Sequence, residues 1–261
     1  IIHAIEKTVT DAGFSLVMQQ IPSCGDEVQR AAVMEREKRL QGSIFLGGRY
    51  DYTPEDLTML NVPFVCCSYS NQYGTLRVGE YSAVSIADEE TARQAVDHLY
   101  DHGHRRIAAL ICREDDQSIS PLRYQGYRKA LESHGIPVDK ELVMCAGSFD
   151  IRDAYEAVRE KLRQGAEFTA LFAIADSMAI GAMRALRDAG RRIPEDCSVI
   201  AIDGLELSAY IEPPLTTLCQ PMEEMGRRSA QILLGMLRGH GAHCCEVLPT
   251  QLREGGSVQS L

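Results

Sequence analysis

The chain has 261 residues, with 37 acidic against 27 basic side chains and a formal net charge of −10. That balance argues against this stretch gripping nucleic acid alone, because phosphate binding needs a surplus of Lys and Arg. Its 45% apolar content supports a sizeable core and argues against disorder, and no apolar run reaches the roughly 18 residues needed to span a membrane.

The first segment, Ile1 to Ala12, reads as a helix with Ile1, Ile5, Thr8, Val9 and Ala12 on one face, stopped by Gly13. It carries His, Glu and Lys and lacks the apolar stretch of a secretory signal. Phe14 to Met18 reads as a strand, Asp26 to Leu40 as a charged helix, and Ser43 to Leu46 as a strand ending in Gly47-Gly48. Thr53-Pro54-Glu55 opens a short helix, with proline in its first turn. Val62 to Cys67 is an apolar run of the kind buried on both faces of a parallel sheet. A polar loop, Ser68 to Tyr81, precedes a short strand at Ala83 to Ile86.

Helices and strands then alternate. Helices are expected at Asp88 to His102, around Tyr124 to His134, at Asp150 to Gln164, at Asp176 to Ala189 and at Pro221 to Arg238. Strands are expected at Arg106 to Ile111, Leu142 to Cys145, Thr169 to Ile174, Ser198 to Ile202 and Leu215 to Cys219. Two short ones close the chain near Glu246 to Leu248 and Gln251 to Arg253. Such interleaving implies doubly wound parallel sheets covered on both faces. The number of units exceeds one modest sheet, so two lobes with a ligand cleft are expected.

Ligands of open α/β sheets meet the loops at the carboxyl ends of strands. Those ends carry Ser68, Asp88, Arg123, Phe149, Asp176, Asp203 and Gln220. The set suits a polyhydroxylated ligand. Carboxylates accept from hydroxyls, arginine donates as a planar fork, and an aromatic face covers a sugar ring or stacks on a base. Asp88 and Asp176 open helices and read first as caps. Arg123 and Asp203 are the stronger functional candidates.

Nine cysteines stand at positions 24, 66, 67, 112, 145, 197, 219, 244 and 245, with two vicinal pairs and no CxxC. They indicate a reducing compartment, with most acting as small buried hydrophobes. His98, His102 and His104 could suggest zinc, but His102-Gly103-His104 reads better as a helix end where imidazole meets exposed carbonyls. His240, His243, Cys244 and Cys245 match no standard metal spacing, and Glu114-Asp115-Asp116 reads as a solvated loop. There is no GxSxG, Walker A or HExxH motif and no paired nucleophile and base. Neither an enzyme nor a cofactor is expected.

Several stretches carry a more specific signal. Asp88, His98-Leu99 and Gly103-His104-Arg105-Arg106-Ile107 are followed by Arg123-Tyr124-Gln125-Gly126-Tyr127 and Ala130-Leu131. Then come Ala175-Asp176-Ser177-Met178-Ala179-Ile180-Gly181-Ala182, Ile193-Pro194-Glu195-Asp196, Ser198-Val199-Ile200 and Asp203. Pro214-Leu215-Thr216-Thr217 and Met225-Gly226 complete the series. In this order, over nearly the whole chain, they resemble the lactose/galactose-repressor (LacI/GalR) family.

The resemblance implies an α/β fold of two doubly wound parallel-sheet lobes, of periplasmic-binding-protein type I. It implies three crossovers between lobes, near Ile86 to Asp88, at Gln220 and at Pro249. The first lobe is then 1–87 plus 221–249, and the second 88–220 plus 250–261. It further implies the effector-binding core of a cytoplasmic, homodimeric transcription regulator that meets operator DNA only through a helix-turn-helix head. That head, and the family's first core strand, are expected to be missing from the stretch given. By the same resemblance Arg123 clamps the effector, Asp203 binds its hydroxyls or a ring nitrogen, and Phe149 stacks on it. Gln220, Ser68, Ile86 and Asp176 make further contacts.

There are departures from the family pattern. Ser68 stands where many sugar-binding members have Asp, Ala175 where some have Asn, and Gly204 where Asp or Asn is usual. These bear on the ligand, above all on a simple hexose bound in the family's standard pose. The expected effector is a sugar or sugar derivative, or a purine or nucleoside. Arg123→Ala is expected to weaken its binding without unfolding the domain. The competing reading is the sugar-binding protein of an ABC transporter. The cysteines and the missing signal peptide speak against it.

Overall fold

The computed structural model describes all residues except 22–24, 78 and 116. Cys24 and Asp116, both named above, lie outside the described residues. In chain order the elements begin with α1 (Ile2–Asp11), α2 (Glu27–Lys38), β1 (Ser43–Leu46), α3 (Pro54–Leu57), β2 (Phe64–Cys67) and β3 (Ala83–Ile86). Next come α4 (Asp88–Asp101), β4 (Ile107–Ile111), α5 (Ile119–Ser133), β5 (Val143–Cys145), α6 (Ile151–Arg163) and β6 (Ala170–Ala173). The last are α7 (Asp176–Asp188), β7 (Ser198–Asp203), β8 (Thr216–Cys219), α8 (Met222–Leu237), β9 (Cys245–Leu248) and β10 (Gln251–Arg253). Among the described residues no helix is long and apolar enough to cross a membrane.

The chain forms two compact units. One is Ile1–Ile86 with Pro221–Pro249, the other Ala87–Gln220 with Thr250–Leu261. The first holds a parallel sheet in the order β1-β2-β3-β9, with β2 and β3 buried along their length. α1 lies close against α8: a Cβ on Gly226 would meet the carbonyl of Ile1 at 2.4 Å. Ile5, Val9 and Ala230 form a core that Phe14 and Ile44 join.

The expected strand at Phe14 to Met18 does not form. A strand exists by its ladder partner, and no described residue pairs with this segment. Among the described residues its one backbone bond runs from Phe14 back to the Val9 carbonyl, and Met18 is 69% exposed.

The second unit holds a sheet in the order β10-β8-β7-β6-β4-β5, parallel except for β10 against β8. β4 and β6 are wholly buried and β7 nearly so. Helices pair on its faces, α4 with α5 and α6 with α7, through glycines. A Cβ on Gly126 would sit 2.1 Å from the Glu89 carbonyl, and one on Gly181 2.2 Å from that of Ile151. Only glycine allows backbones so near.

The C-terminal tail straps the amino ends of these strands. Ser257 Oγ donates to the Val199 carbonyl at 2.6 Å and accepts from the Thr216 amide at 2.8 Å. Beside it lies buried His104, with Nδ1 3.0 Å from Thr169 Oγ1 and Nε2 2.9 Å from Ser198 Oγ and 3.2 Å from the Gln259 carbonyl. His102 caps its own helix end instead, with Nδ1 2.7 Å from the His98 carbonyl.

Burial lowers the pKa of His104 below the usual histidine value, against the pull of the Gln259 carbonyl. The folded state therefore binds this proton less readily than the unfolded chain. The stability His104 contributes is full above pH ~6.5 and is lost as the pH falls below that. His98, also lowered by burial and then by His102, acts in the same direction. Buried Asp88 and Asp176, both raised, act in the opposite one. The fall in melting temperature between pH 8 and pH 5 should therefore be smaller in His104→Gln than in the parent. Equal falls would show that His104 does not titrate on unfolding.

All eight described cysteines are free thiols. Cys66, Cys67, Cys112 and Cys197 are buried, as small hydrophobes are. Cys145 and Cys245 are exposed because β5 and β9 form sheet edges. Burial pushes the Cys197 thiol up to about 12, which leaves it protonated and inert.

Candidate functional site

The carboxyl ends of the second unit's strands gather a buried polar cluster around Arg123. This residue lies in the second turn of α5. The start of α5 is tied to the end of β4 by buried Ser120, whose hydroxyl accepts from the amides of Cys112 and Arg113 at 3.1 and 3.0 Å. Arg123 Nε donates to Asp88 Oδ1 at 2.9 Å, and Nη1 donates to Asp203 Oδ1 at 3.1 Å and to the Ile174 carbonyl at 2.5 Å. Its side chain is only 2% exposed. Gln220 Nε2 donates to the same Asp203 oxygen at 2.7 Å. Two buried polar atoms of this cluster, Arg123 Nη2 and Gln220 Oε1, have no hydrogen-bond partner among the described residues.

Asp203 occupies an unusual backbone position. Its φ is 137°, costly for a residue with a Cβ, and Gly204 follows at 76°. The ladder holds it there, with Asp203 opposite Cys219 and the Gln220 amide donating to its carbonyl at 3.0 Å. A Cβ on Gly204 would lie 2.5 Å from Cys219 Sγ, so the Asp or Asn usual in the family has no room.

Burial depresses the pKa of Arg123, but Asp88 and Asp203 more than offset this and hold it above the usual value. It stays cationic. The Asp88 carboxyl is pushed up by burial, and Arg123 pulls it down only in part.

Two expectations about carboxylates are corrected. Neither Asp88 nor Asp176 caps its helix; Ala87 and Ala175 hold the N-cap positions, without side-chain bonds. Asp88 turns to Arg123, because a buried guanidinium is the stronger partner for a buried carboxylate. Asp176, expected as a ligand contact, is fully buried and engaged within the chain. It accepts from the Leu205 amide at 2.8 Å, Ser208 Oγ at 2.6 Å and Thr217 Oγ1 at 2.6 Å. It anchors the loop after Asp203. Burial raises its carboxyl against these three bonds.

Of the other candidates, Phe149 follows β5 and is 37% exposed, and its carbonyl accepts from Ser177 Oγ at 2.8 Å. Ser68 and Ile86 belong to the first unit. Ile86 is buried in β3. Ser68 sits at φ 56°, with its carbonyl accepting from Tyr50 Oη at 3.0 Å. Sequence patterning singles out neither Tyr50 as the partner of Ser68 nor Asp88 as the partner of Arg123. The aspartate at the head of the family-like stretch is the one signal for Asp88. Nothing in the sequence points to Tyr50. Among the described residues no group of three His, Cys, Asp or Glu side chains is placed to hold a metal.

Two α/β units threaded by three chain crossings, with a polar cluster at the strand ends, define a periplasmic-binding-protein-like core. The family described as "Periplasmic binding protein-like domain" matches residues 96–258. The HTH-type transcriptional regulator MalR of Clostridium butyricum is 32% identical over 257 residues, covering 98% of this chain and 76% of that protein. The HTH-type transcriptional regulator CelR of Thermobifida fusca is 34% identical over 264 residues, covering 98% and 75%.

Among solved structures, a CelR–cellobiose complex superposes with a TM-score of 0.85 at 31% identity, covering 98% of this chain and 77% of that one. A lac repressor dimer bound to operator and the anti-inducer ONPF superposes with a TM-score of 0.82 at 26% identity, covering 100% and 88%. The chain belongs to the LacI/GalR family of transcriptional regulators. These relatives favour a regulator core over the solute-binding protein of a transporter.

Proposed function

We propose that this chain is the effector-sensing and dimerising core of a cytoplasmic regulator and catalyses no reaction. A small polar ligand, sugar-like or a purine or nucleoside, binds at the strand ends of the second unit. There it modulates DNA binding by a helix-turn-helix head of the kind that the relatives' names carry. The observation that carries this reading is the pair of buried polar atoms without partners, Arg123 Nη2 and Gln220 Oε1. A buried donor and a buried acceptor left open in one cluster are costly unless a ligand or water completes them. Arg123 and Gln220 are the contacts, with Asp203 holding both and Phe149 offering a ring face. Ser68 and Ile86 remain candidate contacts of the first unit. The cellobiose of the CelR complex supports the sugar class.

A ligand that binds one arrangement of the core better than another shifts its population, and that is all the signal requires. A thermal-shift screen of sugars, nucleosides and purines is the test, since a ligand of the native state raises the melting temperature by mass action. A hit should bind Gln220→Leu about three- to tenfold more weakly, the worth of one neutral hydrogen bond. A hit with unchanged affinity in that variant would place the ligand elsewhere.

A further inference from the structure

We propose that the second unit's site selects an uncharged ligand and rejects the phosphorylated form of the same molecule. The inference rests on reading this cluster as the effector site. Arginine recognises phosphate and carboxylate by presenting two parallel N–H groups to two oxygens. In Arg123 that fork is already spent. Nε is given to Asp88 and Nη1 to Asp203 and the Ile174 carbonyl, which leaves Nη2 without a partner among the described residues.

The charge count agrees. One guanidinium stands between two carboxyl groups, so the cluster brings more acidic than basic groups to the site. The second open atom, Gln220 Oε1, is an acceptor. A doubly ionised phosphate has no proton to give it, whereas a hydroxyl or an N–H has.

Helix N-termini at the carboxyl ends of α/β strands are ready-made anion sites. Here the chain's own carboxylates stand at three of them: Asp88 in the first turn of α4, Asp150 and Asp153 at α6, and Asp176 in the first turn of α7. α5 has no acidic residue in its first turn, and Glu114 and Asp115 precede it in the chain. A neutral polyol or nucleoside meets one open donor nitrogen and one open acceptor. Its phosphate ester meets one donor nitrogen and two carboxyl groups set against a single guanidinium.

The test is calorimetry on this chain with matched pairs: glucose and glucose 6-phosphate, cellobiose and its 6-phosphate, adenosine and AMP, cytidine and CMP. The expected result is that the neutral member of a binding pair binds at least about tenfold more tightly than its phosphate, the size of one like-charge contact at a partly screened site. In Asp203→Asn that ratio should shrink by about as much. A phosphate that binds as well as or better than its parent overturns the selection and leaves the effector-site reading standing. A ratio unchanged in Asp203→Asn shows that this charge does not discriminate, and also overturns it. No binding by any member overturns the sugar-or-nucleoside reading itself, and the selection falls with it. Should Asp203→Asn fail to fold, the ratio in the parent decides alone.

Discussion

Arg123→Ala is expected to lower the unfolding free energy of the second unit by about 3–5 kcal/mol, the usual cost of stripping one partner from a buried ion pair. The geometry gives the reason. The guanidinium is almost wholly buried and bonds to Asp88, to Asp203 and to the Ile174 carbonyl. Without it, a carboxylate that burial already pushes upward is left with no counter-charge, and Asp203 keeps only Gln220 as the partner of its Oδ1. This expected loss stands against the sequence-based expectation that the substitution would spare the fold, and denaturation decides between them.

The check is chemical denaturation of parent and variant, with Asp88→Asn added to each. Neutralising Asp88 should cost the parent stability and return part of it to Arg123→Ala, the mark of a coupled pair. A single variant within about 1 kcal/mol of the parent would contradict the result, since that is the range of an ordinary surface change. Ligand affinity is better probed at Gln220 or Asp203, where loss of binding can be told apart from loss of fold.

The second large effect falls on Asp176. Asp176→Ala should cost roughly 2–5 kcal/mol, because the Leu205 amide and the Ser208 and Thr217 hydroxyls lose a buried acceptor together. Asp176→Asn should cost less. It preserves the shape and one acceptor oxygen, and it removes a charge that burial disfavours. The order alanine, then asparagine, then parent, read from denaturant midpoints, is the expected outcome. Equal midpoints for all three would mean the loop is held by other contacts. Arg253 Nη2, 2.6 Å from Ser208 Oγ, is the obvious one. The loop that Asp176 secures begins one residue past Asp203, so ligand affinity should fall in the same order as stability.

Much of the candidate site is legible in the amino-acid sequence. Local patterning places Arg123, Asp203 and Gln220 each at a strand end, and the fold joins them through one Asp203 oxygen. The roles of the other carboxylates are not legible. An aspartate opening a helix looks the same in sequence whether it caps that helix, pairs with an arginine 35 residues on, as Asp88 does, or anchors a loop 29 residues away, as Asp176 does. Which of these happens depends on competition among donors brought together by the fold, and a buried guanidinium outcompetes a helix's own amides.

The same division runs through the whole chain. Periodicity, Gly and Pro punctuation and ordered motifs are local properties. By themselves they determined the alternation of helices and strands, the family, and the residues that stand at strand ends. The tertiary structure alone decided what depends on distant neighbours. Phe14 to Met18 has the composition of a strand and no ladder partner among the described residues, so it is not one. Gly204 needs its missing side chain only because β8 brings Cys219 against it. The net charge of −10 describes the chain as a whole. Only the register of β7 on β8 and the packing of α4 against α5 set one arginine between two of its carboxylates. The proposed ligand selection rests on that arrangement and not on the net charge.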